Sequence, residues 1–154
     1  MPAADGTVLM EGVRLIFRNF RGEGSQYNKE GARNFGVVLP EDIAEAMLAD
    51  GWNVKYLEPR EEDEERTPWL SVKVRYDVGR PPKIMLVTER GKTAITENTV
   101  EMLDWAYITN VDLIVRPFHY DTGTRQGISA YVQSMYVTIE EDALERKYAE
   151  MDAQ

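Results

Sequence analysis

Residues 98–139, NTVEMLDWAYITNVDLIVRPFHYDTGTRQGISAYVQSMYVTI, decide the fold class. Asn98 and Glu101 have the spacing of a capping box, which predicts a short helix with Val100 and Leu103 turned inward. Tyr107 to His119 then reads as a long strand, residues 121–124 (DTGT) as a hairpin turn, and Gly127 to Ile139 as the returning strand. A short helix leading into a long final hairpin is the arrangement of a small Greek-key barrel with a helix plugging one end.

The segments before it complete that picture. Residues 69–76 (WLSVKVRY) alternate cleanly, with Leu70, Val72, Val74 and Tyr76 on one face and Trp69, Ser71, Lys73 and Arg75 on the other. Residues 83–88 (KIMLVT) form another strand after a turn at Gly79, Pro81 and Pro82. Residues 7–18 read as a strand with Val13, Leu15 and Phe17 on one face, so Phe17 and Phe35 belong to the core. The glycine-rich stretch 19–33 is a loop, residues 34–39 a strand, and residues 52–57 a short strand. Between these last two, Pro40 opens a helix carrying Ile43, Ala44, Met47 and Leu48, and Gly51 stops it. About seven strands and two helices result, with no internal repeat and no regular strand–helix alternation. The expected architecture is mainly β with two short helices: an oligonucleotide-binding (OB)-fold-like Greek-key β-barrel with an elaboration around residues 40–66.

The chain has 154 residues, enough for one core, with a net charge of −9. That charge is segregated. Residues 58–66 and 140–154 each hold six acids and two bases, which leaves the remainder one net negative charge. The expected organisation is therefore a domain over residues 1–139 and an acidic C-terminal tail over 140–154. The run at 58–66 reads as a solvated loop and lacks the alternation and central glycine of a calcium loop. Cysteine is absent, which removes disulfides and thiol catalysis and agrees with a cytoplasmic location. No run is long and apolar enough to span a membrane, and the N-terminus does not read as a signal peptide.

Nothing in the chain has the spacing of an enzyme, and no metal or other cofactor is expected. There is no G-x-S-x-G, Walker loop or dinucleotide fingerprint, and the one histidine, His119, reads as a surface residue at a strand end. Glu89 with Lys92, or Asp104 with Asp112, lack the spacing of a metal-dependent nuclease. What the near-neutral remainder does contain is cations interleaved with aromatics. Arg18, Lys29 and Arg33 lie near Phe20 and Tyr27; Lys73, Arg75 and Lys83 near Trp69 and Tyr76; Arg116 and Arg125 near Phe118 and Tyr120. Single-stranded nucleic acid demands this mixture, cations for phosphates and aromatic faces for bases. The plainer reading is solvated strand cations, with Trp69 packed beneath the 58–66 loop.

Beside that reading stands a resemblance. The segments VRLIFRNF (13–20), YN (27–28), NFGVVLP (34–40), GWNVK (51–55), WLSVKV (69–74), PKI (82–84), VDLIVRP (111–117) and GISAYVQSMYV (127–137) resemble the single-stranded DNA-binding proteins of tailed bacteriophages, over residues 8–139. The resemblance implies an OB fold and sequence-tolerant coating of single-stranded DNA in phage replication or recombination. The groove would cross strand 69–76 between loops 18–33 and 119–126. Phosphates would meet Arg18, Lys29, Arg33, Lys73, Arg75, Lys83, Arg116 and Arg125. Bases would stack on Phe20, Tyr27, Trp69, Tyr76, Phe118 and Tyr120, with Trp52 and Tyr131 as further candidates. It also implies an acidic tail that recruits replication or recombination proteins or competes with DNA. This tail ends YAEMDAQ (148–154), without the terminal aromatic many such tails carry. The competing reading is an acidic phage module that targets a host protein, and a homo-oligomer is compatible with either.

Overall fold

The computed structural model describes residues 6–59, 61–62 and 65–140. The expected tail lies outside them beyond Glu140, as does part of the 58–66 run. Nine strands appear in these residues: β1 (Val8–Met10), β2 (Arg14–Asn19), β3 (Arg33–Val38), β4 (Val54–Leu57), β5 (Thr67–Val74), β6 (Lys83–Thr88), β7 (Gly91–Ile95), β8 (Ile108–Asp121) and β9 (Gln126–Ile139). One α-helix, α1 (Glu41–Asp50), and one 3₁₀ turn, Val100–Asp104, accompany them.

The strands form one branched sheet in the order β1-β8-β9-β5-β3-β2, with β4 on β5 and the β6–β7 pair on β9. It is not the closed Greek-key barrel expected. The physical reason lies at Gly12, whose φ of 62° breaks the first predicted strand in two. The first half, β1, pairs with β8 and the second, β2, with β3, so the halves end at opposite edges. A single backbone bond, Val13 N–H to the Val111 carbonyl at 3.0 Å, approaches β8 from the β2 side; no ladder joins the two. β7 was not expected, because GKTAI (91–95) is exposed on an edge and carries little alternation.

The second expected helix is the 3₁₀ turn, and the capping box is not made. Thr99 precedes it without a side-chain cap bond, although Val100 and Leu103 are buried as predicted. Helix α1 agrees with its pattern. Ala44 and Met47 are buried, and Gly51 ends the helix in the left-handed region at φ 100°. The Gly51 N–H donates to the Leu48 carbonyl and the Trp52 N–H to the Met47 carbonyl, closing the last turn.

The core is built from strand alternation. Leu70, Val72 and Val74 of β5 meet Phe35 and Val37 of β3, Ala130 and Val132 of β9, and Val111, Leu113 and Val115 of β8. The opposite residues of the same strands face outward together, and that shared face positions the site.

Tyr76, just past β5, packs against this core with its hydroxyl buried and without a hydrogen-bond partner among the described residues. Burial pushes its phenol up to about 12. Because the folded phenol ionises only at about pH 12 and the unfolded one at about pH 10, stability is undiminished by this group below pH ~10 and falls as the pH rises to about 12. Tyr76→Phe is expected to raise stability at neutral pH by about 1 kcal/mol and to flatten this alkaline limb. Urea midpoints across that range measure both, and a lower midpoint at neutral pH would mean that the hydroxyl is in fact bonded.

Candidate nucleic-acid interface

Register brings the outward residues into rows. Asn34 of β3 lies opposite Lys73 of β5, Lys73 beside Tyr131 of β9, and Tyr131 opposite Arg116 of β8. One step along, Gly36 lies opposite Ser71, and beyond that Val38 opposite Trp69 and Trp69 beside Lys55 of β4. A groove of about 870 Å³ follows these rows, walled on one side by residues 27–34, the end of the loop and the start of β3.

Trp69 is the centre of its first half. A Cβ built on Gly36 would stand 2.8 Å from both Trp69 Cε3 and Ile16 Cγ1, so the indole packs against a position that only glycine leaves open. Phe17 meets the indole edge-on, with ring centres 5.1 Å apart. The Lys55 Nζ sits 5.2 Å from the centre of the same ring. In the second half, Lys73 Nζ lies 5.8 Å from the Tyr131 ring centre, and Phe118 meets Tyr131 edge-on at 5.7 Å.

Charge in the groove is mixed but favours anions. Lys29, Arg33, Lys55, Lys73 and Arg75 line it against Glu30, Asp77 and Glu97. Arg75 is gripped by both Asp77 oxygens, at 3.1 and 3.0 Å. That grip holds the Asp77 carboxyl below the usual carboxylate range and raises the guanidinium, with a smaller push from the Tyr131 hydroxyl. Arg75 thus carries its own counter-ion, which an incoming phosphate would have to displace.

The loop over residues 20–32 is held by named bonds. Asp104 accepts the Phe20 and Arg21 N–H groups at 2.6 and 3.0 Å. Asn28 Nδ2 donates to the Glu23 and Ala32 carbonyls, and Asn34 Nδ2 donates to Asn28 Oδ1. At its tip Tyr27 is 91% exposed.

Of the residues named from sequence, Tyr27, Lys29, Arg33, Trp69, Lys73, Arg75 and Tyr76 line the groove. Arg116 and Phe118 flank it through Tyr131. Arg18 is turned away, donating to the Leu103 and Ala106 carbonyls at the 3₁₀ turn. Lys83 stands on β6 against Tyr136, and Arg125 at the exposed hairpin tip. Tyr120 donates its hydroxyl to Asn53 Oδ1 at 3.2 Å, and Trp52 is buried. His119 faces outward on β8, and no group of three or more His, Cys, Asp or Glu that could hold a metal occurs among the described residues.

Two phenylalanines exchange roles. Phe20, expected to stack on a base, is fully buried and stacks on Phe35 at 5.0 Å. Phe17, expected in the core, is 61% exposed beside Trp69. The cause is a bulge: Ile16 pairs with Gly36 but Asn19 with Asn34, so three steps on β2 match two on β3. Phe17, at φ 50°, takes up the extra residue and alternation restarts in the opposite phase. Sequence reading also passed over Lys55, whose only signal was its place beside Trp52 in a short strand.

A family profile described as a putative phage ssDNA-binding domain matches residues 4–154. No curated protein sequence matches significantly. Among solved structures, the chain is similar to the single-stranded DNA-binding protein from bacteriophage Enc34 in complex with ssDNA. The TM-score is 0.58 at 13% identity, over 90% of this chain and 89% of that one. A C-terminal truncation of the Enc34 protein matches with a TM-score of 0.55 at 14% identity, over 92% and 96% of the two chains. At such identities the likeness concerns the fold.

Proposed function

The chain belongs to the putative phage ssDNA-binding domain family, and on that footing we propose that it binds single-stranded DNA along the groove across β5, without sequence preference and without catalysis, in phage replication or recombination. The observation that carries this reading is the outward row of Phe17, Trp69 and Tyr131 with Lys55 and Lys73 set on their rings. Such a surface offers π-faces to any base and cations to the phosphates between them. Lys29, Arg33, Lys55, Lys73, Arg75, Arg116 and, at the hairpin, Arg125 are the phosphate contacts in this reading. Tyr27, Trp69, Tyr131, Phe118 and Phe17 are its stacking residues. The described residues contain no helix long and apolar enough to cross a membrane.

Residues 1–139 act as the DNA-binding unit in this proposal, and the acidic segment 140–154 competes with DNA for the groove or engages replication partners. Titration with oligo-dT is expected to quench tryptophan fluorescence. The logarithm of the affinity should fall against the logarithm of salt with a slope of about −5, as seven phosphate contacts require. Removing residues 140–154 is expected to tighten binding most at low salt. A wild-type chain that neither quenches nor binds would overturn the proposal and favour the host-protein-targeting reading.

A further inference from the structure

A second cation–aromatic cluster stands on the same sheet face, outside the groove. Lys83 of β6 and Lys92 of β7 place their Nζ atoms 5.7 and 5.8 Å from the Tyr136 ring centre. Tyr136 is on β9, five residues beyond Tyr131. A bulge around 133–134 separates them, since β8 pairs Ile114 with Ser134 but Val115 with Val132. With that extra residue, Tyr131 and Tyr136 both face outward, while Val132, Met135 and Val137 stay buried. They lie about 16 Å apart along the strand, on the order of five stacked nucleotides at about 3.4 Å each.

The two rings lie along one edge of β9. β5 pairs with β9 at Ala130 and Tyr131, and β6 takes over the same edge from Ser134 to Thr138. Met85 of β6 lies beside Tyr136 and is paired with Ala94 of β7, which gives the ring a low apolar surround. On the other side stands Asp112, whose Oδ1 is already accepting the Gly12 N–H at 3.0 Å. Two ammonium groups gathered on one ring repel each other, and a phosphate between them removes that cost. Resting on the reading of the groove above, we infer that the β6–β7 hairpin is a second clamp on the same single strand. In it a base stacks on Tyr136, and Lys83 and Lys92 hold the flanking phosphates.

The test compares a short and a long oligo-dT, about 4 and 16 nucleotides, by anisotropy of a labelled strand. The Lys83→Gln/Lys92→Gln double variant and Tyr136→Ala are expected to bind the short strand like wild type and the long strand about tenfold more weakly. Tyr136→Phe should retain binding. The double variant should also lower the salt slope on the long strand by about 1.4. If it binds the long strand with wild-type affinity and slope while Trp69→Ala still weakens binding, the second clamp is wrong and the groove stands. If the wild-type chain binds neither strand, it is the groove reading that fails.

Discussion

Trp69→Ala is expected to weaken oligo-dT binding by about tenfold to a hundredfold and to leave the domain folded. The indole lies on the outward face of β5, over the gap at Gly36, between the Phe17 ring and the Lys55 ammonium. Stacking on such a platform contributes roughly 1–3 kcal/mol per base, and removing the ring also leaves Phe17 without its edge contact. The inward side of β5 is carried by Leu70, Val72 and Val74, which the substitution does not touch. Truncation therefore opens a surface depression rather than an internal cavity, and the stability cost should stay near 1 kcal/mol. Anisotropy with a labelled strand, alongside a thermal melt, reads both quantities. Unchanged affinity would place the DNA path elsewhere.

Phe20→Ala should do the reverse, lowering stability by about 3–5 kcal/mol, a large share of the roughly 5–15 kcal/mol available to a small domain. Phe20 is 0% exposed and stacked on Phe35, and its N–H is anchored to Asp104. Removing the ring leaves a cavity between β2, β3 and the 3₁₀ turn that rigid strands cannot collapse to fill. DNA binding should then fall only in proportion to the unfolded fraction, and Phe20→Leu should recover much of both. Urea titrations with and without oligo-dT make the distinction. A loss of affinity at an unchanged midpoint would put Phe20 in the DNA path after all.

These two aromatics show what was legible in the chain. Trp69 was placed correctly because β5 keeps strict alternation from Pro68 to Val74, so counting by two assigns each side chain its face. The same counting failed at Phe17, since one unpaired residue on β2 reverses the faces beyond it, and Phe20, read as part of the loop at 19–33, was not assigned a face at all. Tyr136 was passed over for a related reason. Its partners Lys83 and Lys92 are distant in sequence, and β7 announces itself by no alternation. Tyr131 gained its place only through neighbours on β5 and β8.

By itself, the sequence determined the local terms: most of the strand stretches (β7 and the split at Gly12 excepted), where α1 starts and stops, and the segregation of acids into 58–66 and 140–154 that leaves the cations beside the aromatics. Those follow from periodicity, backbone preference and charge, which act over a few residues. Tertiary structure alone decided which strands pair, that the break at Gly12 sends β1 and β2 to opposite edges of an open sheet, and which phenylalanine faces out. Pairing and register are set by contacts between residues tens of positions apart. The bulge that sets the phase of β2 depends on the neighbouring strand it must match.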